Sequence, residues 1–473
     1  MHLALKTTAL LLSLLSHTAF AQPNVAATST ATTDSPSVLL LEGIENPEPD
    51  SDLTAPPIAG SDTVILETIE IIGNEKTTVD VILRRIGIRA DEVLVDDVIE
   101  AGRLRLLATG YFRSVEFSLR RGSRRGRVIL VVEVEERNTM MISGLYYGTS
   151  EVENAFGGLS LYESNFLGEG VGTGFGFVLG DNRKAAELDV FLPDLSGTPL
   201  QLAVSAIYAE GEEQLGDNII APIPMKYSRY GTQFGFGLST GAAQRVLFNY
   251  RFEAIQTERL PNLDPAALRS APSILFDDSV LASFGLTYEF DTRDDSFVPL
   301  LGSHLLLSIE TGTRLLGSNY EFTKYQLQFE RAFNTVSGQS LVTSFQGGII
   351  QGTTPFFNQF FLRDHLAFIS GRASLPRQIG LNFSRDTDYD DLLAHLRFTY
   401  YVPFFGGGDF LLQSFIYASI DAGVSASLDE YQEDKEGRGI RRQMPLAADV
   451  GIKFDTTIGR FVLSVAYISD LIW

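Results

Sequence analysis

The sequence predicts an α+β domain followed by a transmembrane antiparallel β-barrel. Three observations lead to this fold class: an export signal at the start, a mixed strand and helix pattern over residues 62–138, and alternating apolar and polar residues over 139–473. Alternation with a period of two is typical of barrel strands that turn one face to lipid and the other to a polar lumen. No internal run reaches the roughly 18 apolar residues that a membrane-spanning helix requires.

Residues 1–21 have the features of a signal peptide. Lys6 supplies a positive charge, Leu10–Leu15 form a mostly apolar core, and the run Ala19–Ala21 is a small-x-small cleavage site. Residues 22–61 are rich in Ala, Thr, Ser, Pro and acids and have no apolar period, which predicts a disordered tether. This tether either binds a partner or spans the periplasm.

The composition narrows the classes of function. A formal net charge of -22 argues against nucleic-acid binding, which calls for a basic surface. Because the chain has no Cys, it has neither disulfides nor a thiolate metal site. It has 5 His, no paired spacing of His and carboxylates, no glycine-rich phosphate loop and no nucleophile elbow. We therefore expect neither an enzyme nor a bound cofactor or metal.

Residues 62–138 are predicted to fold in the order strand, helix, helix, strand, strand. A β-branched strand from Val64 to Ile72 stops at the turn signal Gly73-Asn74. The other elements are a helix from Thr77 or Thr78 to Ile86, a helix from Asp96 to Leu107, and strands around Val115–Leu119 and Arg127–Glu135.

Two short motifs in this domain resemble those of POTRA domains. The first is Gly73-Asn74 after the first strand, and the second is Gly110-Tyr111-Phe112 after the second helix. The resemblance implies a βααββ domain. Such a domain has an open sheet edge, which receives an extended client strand by β-augmentation.

An arginine cluster lies at the predicted hairpin between the last two strands. Its members are Arg120, Arg121, Arg124, Arg125 and Arg127. Two interpretations stay open: a solvated turn, or a surface that contacts anionic lipid headgroups or acidic partners.

The alternation of the barrel region is clear in single strands. Val246, Phe248, Tyr250 and Phe252 are apolar, whereas Arg245, Asn249, Arg251 and Glu253 on the opposite face are polar. A soluble sandwich also uses such strands, but a closed barrel satisfies its backbone groups in hydrocarbon and fits an exported chain better. We count about fifteen strands, whereas bacterial barrels have even numbers. We therefore expect 16 strands, with one strand unrecognised or Ile468–Trp473 as a shortened closing strand.

Several barrel segments resemble the BamA/TamA superfamily of POTRA-barrel proteins. The matching segments are the turn Glu163–Gly170, the turn Asp291-Thr292-Arg293-Asp294 with Phe297, Pro299 and Gly302-Ser303, the strand segment Ile420–Gly423, and the terminal aromatic Trp473. The resemblance implies an outer-membrane barrel with its POTRA domain and tether in the periplasm. The implied partners are unfolded outer-membrane or secreted polypeptides, membrane lipid, and periplasmic or lipoprotein accessory subunits.

The carboxylates of the second turn have two interpretations. Asp291, Asp294 and Asp295 are oxygen ligands of the kind that calcium binds. Asp side chains also stiffen turns by accepting hydrogen bonds from nearby backbone N–H groups. We favour the stiffened turn.

The chain departs from the family in the long loop 351–380. Relatives place an Arg there that folds into the barrel and pairs with an acid on the wall, whereas an ungapped alignment puts Ile369 at that position. Arg363 or Arg372 is the candidate substitute, with Asp421 as the wall partner, because an Arg fork seeks a carboxylate in a partly buried lumen. The alternative is that these arginines are ordinary loop or lumen charges.

Two classes of function follow from the resemblance and the polar lumen. In the first, the protein inserts or translocates polypeptides, with the POTRA edge receiving the client and the seam between Met140–Thr149 and the last strand acting as template or gate. In the second, it is a passive or substrate-selective channel with the POTRA domain as a scaffold. A lipid-handling or purely structural role is a third interpretation.

Overall fold

The computed structural model describes most of the chain after residue 63. The described residues are 64–148, 154–193, 195, 198–215, 223–240, 243–258, 278–336, 338–362, 389–408, 410–428 and 443–472. The predicted signal peptide, the tether, Arg363, Arg372 and Trp473 lie outside these residues. In the described part of the chain, no helix is long and apolar enough to cross a membrane.

The small domain is a four-stranded sheet with two helices. Its elements are β1 (Val64–Ile72), α1 (Val79–Ile86), β2 (Val93–Leu94), α2 (Asp96–Ala108), β3 (Phe112–Arg121) and β4 (Arg127–Glu136). The sheet order is β2-β1-β4-β3. β4 is parallel to β1 and antiparallel to β3. β3 is therefore an edge strand of this sheet.

The small domain has its own hydrophobic core. Ile82 and Ile86 on α1 pack with Leu66 and Leu130 of the sheet, and all four side chains are fully buried. The short strand β2 was not predicted. It pairs Val93 and Leu94 with the start of β1, and two residues are too few to show a period in the sequence.

In the described residues, the second sheet is a closed barrel of fifteen strands. They are β5 (Met140–Gly148), β6 (Phe156–Phe166), β7 (Val171–Gly180), β8 (Lys184–Leu192), β9 (Leu200–Leu215), β10 (Ile223–Ser239), β11 (Gln244–Glu258), β12 (Ser279–Asp291), β13 (Gly302–Gly312), β14 (Glu321–Val336), β15 (Gln339–Thr353), β18 (Leu392–Gly406), β19 (Leu411–Ala426), β20 (Gln443–Thr456) and β21 (Gly459–Ile472). Two short strands, β16 (Phe360–Phe361) and β17 (Tyr389–Asp390), pair with each other in the loop between β15 and β18.

The two faces of the barrel wall differ as the alternation predicts. Phe234, Phe236 and Phe252 are 54%, 46% and 41% exposed on the outer face. On the inner face, Arg229 and Glu253 are 0% and 1% exposed. An apolar exterior and a charged interior are the arrangement of a membrane barrel.

The prediction of 16 strands is wrong, because the closed barrel has fifteen. The alternation alone gave about fifteen, and the expectation of an even number added one. Residues 468–472 are no separate closing strand, since they continue β21 and pair with β20 up to Gln443↔Ile472. With an odd number, the first and last strands run in the same direction, and β5 and β21 are parallel.

The barrel has two rims that face different parts of the chain. The turn after β6 contacts the small domain, and we call that end the domain-side rim. Because neighbouring strands from β5 to β21 are antiparallel in chain order, the β12–β13 turn lies at the same rim. The loop between β15 and β18 lies at the opposite end, the far rim.

Candidate functional site

The turn after β6 is bound to the loop that follows β1. We call residues 163–170 the junction turn. Thr78 N donates to the Gly168 carbonyl over 3.0 Å, and Asn165 Nδ2 donates to Thr77 Oγ1 over 2.8 Å. Gly168 has φ +78°, and a Cβ there would collide with the Lys76 carbonyl. Only glycine therefore permits this close approach.

Charged side chains stabilise the same junction. Lys76 Nζ donates to Glu163 over 3.0 Å and to Thr139 Oγ1 over 2.9 Å. The Glu136 carboxylate accepts the amides of Lys76 (2.8 Å) and Thr77 (2.6 Å). Burial alone would raise the pKa of Glu136, but the hydrogen bonds from Thr77, Lys76 and Glu75 outweigh burial and hold it below its ordinary value.

The predicted POTRA-motif residues lie at or next to this junction. Gly73 has φ +91° and faces the Val134 carbonyl too closely for a Cβ, and Asn74 Nδ2 donates to the Thr77 carbonyl over 3.1 Å. Gly110 has φ +72° and ends the turn after α2. The rings of Tyr111 and Phe112 are buried in the small-domain core.

The β12–β13 turn is stiffened by its acidic side chains. We call residues 292–301 the strap. Asp294 Oδ1 accepts the amides of Leu300 (2.9 Å) and Leu301 (3.1 Å), and Asp295 Oδ1 accepts the amide of Val298 over 3.1 Å. These hydrogen bonds are of the kind that the stiffened-turn interpretation expected.

The strap crosses the lumen and contacts the opposite wall. Lys453 Nζ on β20 donates to the Phe297 carbonyl over 2.7 Å and to Tyr401 Oη over 3.0 Å. Arg460 on β21 pairs with Asp295 at 2.8 Å. Phe297 is buried in a cluster that includes residues of β14, β15, β18, β19 and β21. A turn between β12 and β13 reaches these strands only through the barrel interior, so the strap lies across the lumen near the domain-side rim.

The predicted turn residues Asp291 and Arg293 form a separate ion-pair group. Arg293 contacts Asp291 at 2.7 Å and Glu330 at 2.8 Å. Among the described residues, Glu289, Asp291 and His304 place one possible metal-ligand atom each within 4.8 Å of one another. However, Arg245 pairs with Glu289 and Arg293 with Asp291, and two guanidinium groups disfavour a divalent cation there.

A second element fills the lumen near the far rim. We call residues 354–362, at the start of the long loop, the loop foot. Its buried side chains include Phe356, Phe357, Asn358, Phe360 and Phe361. The guanidinium of Arg229 stacks on the Phe357 ring, 3.4 Å from its centroid. Stacking of this type is strongest where water is excluded.

Two further cations bind the loop foot through Asn358. Lys324 Nζ donates to the Asn358 carbonyl over 2.7 Å, and Arg251 donates to Asn358 Oδ1 over 3.2 Å. Glu253 lies between Arg229 and Arg251 and pairs with both. Glu253 therefore offsets part of the positive charge of this wall cluster, and the cluster fixes the loop foot inside the barrel.

Asp421 is buried in the wall and already has neighbours. His395 lies 3.0 Å from its Oδ1, and Arg397, directly opposite on β18, pairs with the same oxygen. Its Oδ2 has no hydrogen-bond partner among the residues that the structure describes. Both candidate lock arginines, Arg363 and Arg372, fall outside those residues.

The seam between the first and last strands is joined at one place. Gly459 at the start of β21 pairs with Ile142 of β5, and Ile142 N donates to the Ile458 carbonyl over 3.0 Å. By contrast, β20 and β21 pair from Thr456↔Gly459 to Gln443↔Ile472. No other register pair between β5 and β21 occurs in the described residues, so the seam is held near the domain-side rim alone.

The sequence prediction did not identify Arg229, Lys324, Lys453 and Arg460 as site residues. Each belongs to the polar face of a strand, which the alternation does signal. Their partners lie on distant strands or on turns, and periodicity within one strand carries no information about these contacts.

Comparison with known proteins identifies both parts of the chain. The profile of the Omp85 superfamily domain matches residues 165–470. The POTRA profile, described as surface antigen variable number repeat, matches residues 64–137. The first match alone covers more than half of the chain.

One curated relative and two solved structures add detail. The outer membrane protein assembly factor BamA of Nitratidesulfovibrio vulgaris is 23% identical over 305 residues, which are 63% of this chain and 36% of the relative. The chain thus spans about a third of that relative's length. BamA from Haemophilus ducreyi lacking POTRA domains 1–3 matches with a TM-score of 0.60 and 14% identity, covering 87% of this chain and 83% of that one. CdiB from Escherichia coli matches with a TM-score of 0.57 and 12% identity, covering 86% and 77%. At these identities the structural likeness shows the fold alone.

Proposed function

Since the chain belongs to the Omp85 superfamily of outer-membrane β-barrel proteins, we propose that it inserts or translocates polypeptides at the outer membrane. In this proposal residues 62–138 form a periplasmic POTRA domain that receives the client. Residues 139–473 form the barrel, whose seam opens to act as template or gate. The activity is mechanical, with no chemical step. The relative from Nitratidesulfovibrio vulgaris, which is named an outer membrane protein assembly factor, supports this class of function.

The single observation that carries the proposal is the seam. β5 and β21 share the one register pair Ile142↔Gly459, whereas neighbouring wall strands pair along their length. Since every backbone group in hydrocarbon needs a partner, a seam with unmatched strand edges is the place where a client strand gains most by pairing.

The POTRA sheet offers a second edge. β3 is the outer strand of the order β2-β1-β4-β3, and the junction turn fixes this domain to the barrel's rim. A client strand added to β3 would gain main-chain hydrogen bonds, and the Phe112 end of β3, which pairs with Glu136, lies on the junction side of the sheet.

The contents of the lumen disfavour the alternative of a passive channel. The strap places Phe297 and Val298 in a buried cluster near one rim, and the loop foot places Phe356 and Phe357 in another. An open channel requires an aqueous path. The strap and the loop foot therefore occupy part of that path, one near each rim.

The unpartnered oxygen of Asp421 supports a lock between the long loop and the wall. Leu362 Cδ1 lies 2.6 Å from the position of a Cβ on Gly423, two residues from Asp421. The described chain thus ends beside the acid, and Arg363 is the next residue. We therefore propose Arg363, rather than Arg372, as the partner of Asp421 Oδ2.

Quantitative proteomics after depletion tests the proposed function. Outer membranes and culture supernatant are compared before and after loss of this protein, with re-expression of the unmutated chain as the control. Loss of many barrel proteins indicates a general insertase, and loss of one secreted protein indicates a dedicated transporter. An unchanged proteome contradicts polypeptide handling. Ion conductance of the purified protein would then favour the channel.

A further inference from the structure

The free edge of the small domain ends in unpaired positive charge. β3 pairs with β4 on one side, and no described strand lies on its other side. At the β3–β4 hairpin, Arg121, Arg124 and Arg125 are exposed and form no hydrogen bond or ion pair with any described residue. Exposed guanidinium groups that a hairpin holds close together attract carboxylates.

The other two arginines of the cluster are already paired. Arg120 contacts Glu70, and Arg127 contacts Asp91 at 2.8 Å. Glu67 also accepts the Ser123 amide over 2.8 Å. The pKa of Glu67 lies below its ordinary value. The main cause is the side-chain hydrogen bond of Ser123, followed by its backbone hydrogen bond and the charges of Arg127 and Arg124. The hairpin is therefore well fixed, and Arg121, Arg124 and Arg125 form no ion pair with any described residue, although Arg124 also acts on Glu67 through its charge.

The hairpin tip lies at the end of the small domain opposite the barrel junction. The opposite end of β4, at Glu136, is the end that contacts the junction loop. The ten residues of β4, Arg127–Glu136, span roughly 30 Å. The headgroups around the barrel's own rim are therefore a poor match for this cluster, and an acidic polypeptide is a better one.

The N-terminal segment starts from this same tip. β1 is parallel to β4, with Ile65 paired to Arg127, and Ile65 N donates to the Gly126 carbonyl over 3.0 Å. The chain before residue 64 therefore leaves the domain next to Arg124 and Arg125.

That segment carries the complementary charge. Between residues 42 and 52 lie the five acids Glu42, Glu45, Glu48, Asp50 and Asp52, directly after the apolar run Val38–Leu41. The chain has no Lys or Arg between Lys6 and Lys76. The connection from Asp52 to Thr63 spans at most roughly 36–40 Å when extended, so the acids reach both the tip and the length of β3.

We propose that residues 38–52 bind in cis to the free edge of β3, with the acids of 42–52 on Arg121, Arg124 and Arg125. The short connection gives the segment a local concentration on the order of mM, and main-chain pairing by Val38–Leu41 extends the sheet. If the function proposed above is right, a client must displace this segment to reach the edge. The docking itself is independent of that function.

Paired spin labels measure the docking directly. Because the chain has no Cys, Ser51→Cys and Ser118→Cys place two labels cleanly, one in the acidic segment and one on β3. In the full chain in nanodiscs at low salt, we expect a short, narrow distance distribution. At 1 M salt, where the screening length is roughly 3 Å, the distribution should broaden.

Charge reversal and charge swapping separate docking from other effects. R121E/R124E/R125E should broaden the distribution, and adding E42R/E45R/E48R/D50R should restore the narrow one. A second label pair, Glu75→Cys with Ser118→Cys, reports on the fold of the small domain and should be unchanged in the reversal variant. A broad distribution in the unmutated chain, or a narrow one that charge reversal and swapping leave unchanged, overturns the proposal.

Discussion

Arg460 and Asp295 form an ion pair at 2.8 Å that joins the closing strand to the strap on the opposite side of the lumen. Arg460 is the residue after Gly459, which makes the register pair of the seam with Ile142. The strap therefore fixes β21 at the place where β21 meets β5. We infer that strap and seam move together.

Separating the strap from β21 should make the seam open more often. Arg460→Ala removes the ion pair with Asp295, whose side chains are 37% and 38% exposed, together with the contacts of Arg460 with Asp455 and the Phe297 ring. Pairs of this exposure contribute up to about 1 kcal/mol, so the open fraction should rise by up to about fivefold. Single-molecule conductance in planar bilayers would record this as more frequent openings.

The matched control for that experiment is Arg314→Ala. It removes the exposed pair of Arg314 with Glu321, which lies at the far rim and is 3.5 Å long. Equal opening frequencies in the two variants would contradict the coupling of strap and seam.

Removing Glu253 should destabilise the barrel strongly. Glu253→Gln leaves Arg229 and Arg251 without their shared carboxylate in a cluster where Arg229 is fully buried. Loss of one partner from a buried ion pair costs about 3–5 kcal/mol. The thermal unfolding midpoint of the variant should fall clearly below that of the unmutated protein. It is measured by the change in gel migration that heating causes in a barrel protein. Glu321→Gln, at an exposed pair, should leave it nearly unchanged, and equal midpoints for both variants would count against the cluster's role.

The junction should loosen in acid. The pKa of Glu136 in the folded protein lies below its ordinary value of 4.5. A group with a lowered folded pKa contributes stability above its unfolded pKa, and that contribution is lost as the pH falls through the folded value. Cleavage between the small domain and the barrel should therefore accelerate as the pH falls from about 4.5. The cleavage rate is measured with a protease that is active in acid, such as pepsin.

The control variant for the acid experiment is Glu136→Gln. It lacks the titrating carboxylate, so its cleavage rate should change less over the same range. The neighbouring pair of Lys76 and Glu163 remains in both proteins. If the variant and the unmutated chain showed identical pH profiles, another group would control the junction.

The proposed pairing of Arg363 with Asp421 predicts coupled mutational effects. Asp421→Asn and Arg363→Ala should each lower the unfolding midpoint, and the double variant should lose less than the sum. Residues in one ion-pair network show interaction energies of about 0.5–3 kcal/mol. Arg372→Ala should combine with Asp421→Asn additively. Additive effects in both double-mutant cycles would contradict the proposed pairing of the long loop with Asp421.

Motifs within single elements could be predicted from the sequence, but the contacts between elements that are distant in the chain could not. Gly73-Asn74 and Glu163–Gly170 were each recognised, yet Asn165 bonds to Thr77 across 88 positions of chain. The sequence predicts the stiff turn formed by Asp294 and Asp295. It does not predict that Phe297 in that turn belongs to one buried cluster with Tyr401 and Tyr417. Alternation fixes which face a residue occupies, whereas its position around the ring depends on how all the strands pair.

The strand count shows a related limit. The pattern itself indicated about fifteen strands, and the preference for even numbers changed a correct count into a wrong one. The sequence analysis named Arg363 and Arg372 as candidate partners of Asp421, and both lie outside the described residues. It did not name Arg397, which lies directly opposite Asp421 on β18, because the alternation within one strand does not specify its register with the next.

Cross-linking the seam tests the central claim most directly. Met141→Cys and Ile458→Cys flank the seam pair and are joined by a short bis-maleimide, in a chain that has no other Cys. The control joins Val450→Cys to Val465→Cys, directly opposite residues of the fully paired strands β20 and β21. Each variant replaces the depleted protein, and the outer-membrane and supernatant proteomes are measured. We predict that the joined seam fails to restore the proteins lost on depletion, while the joined control pair restores them. Restoration by the joined seam would contradict a gate between β5 and β21.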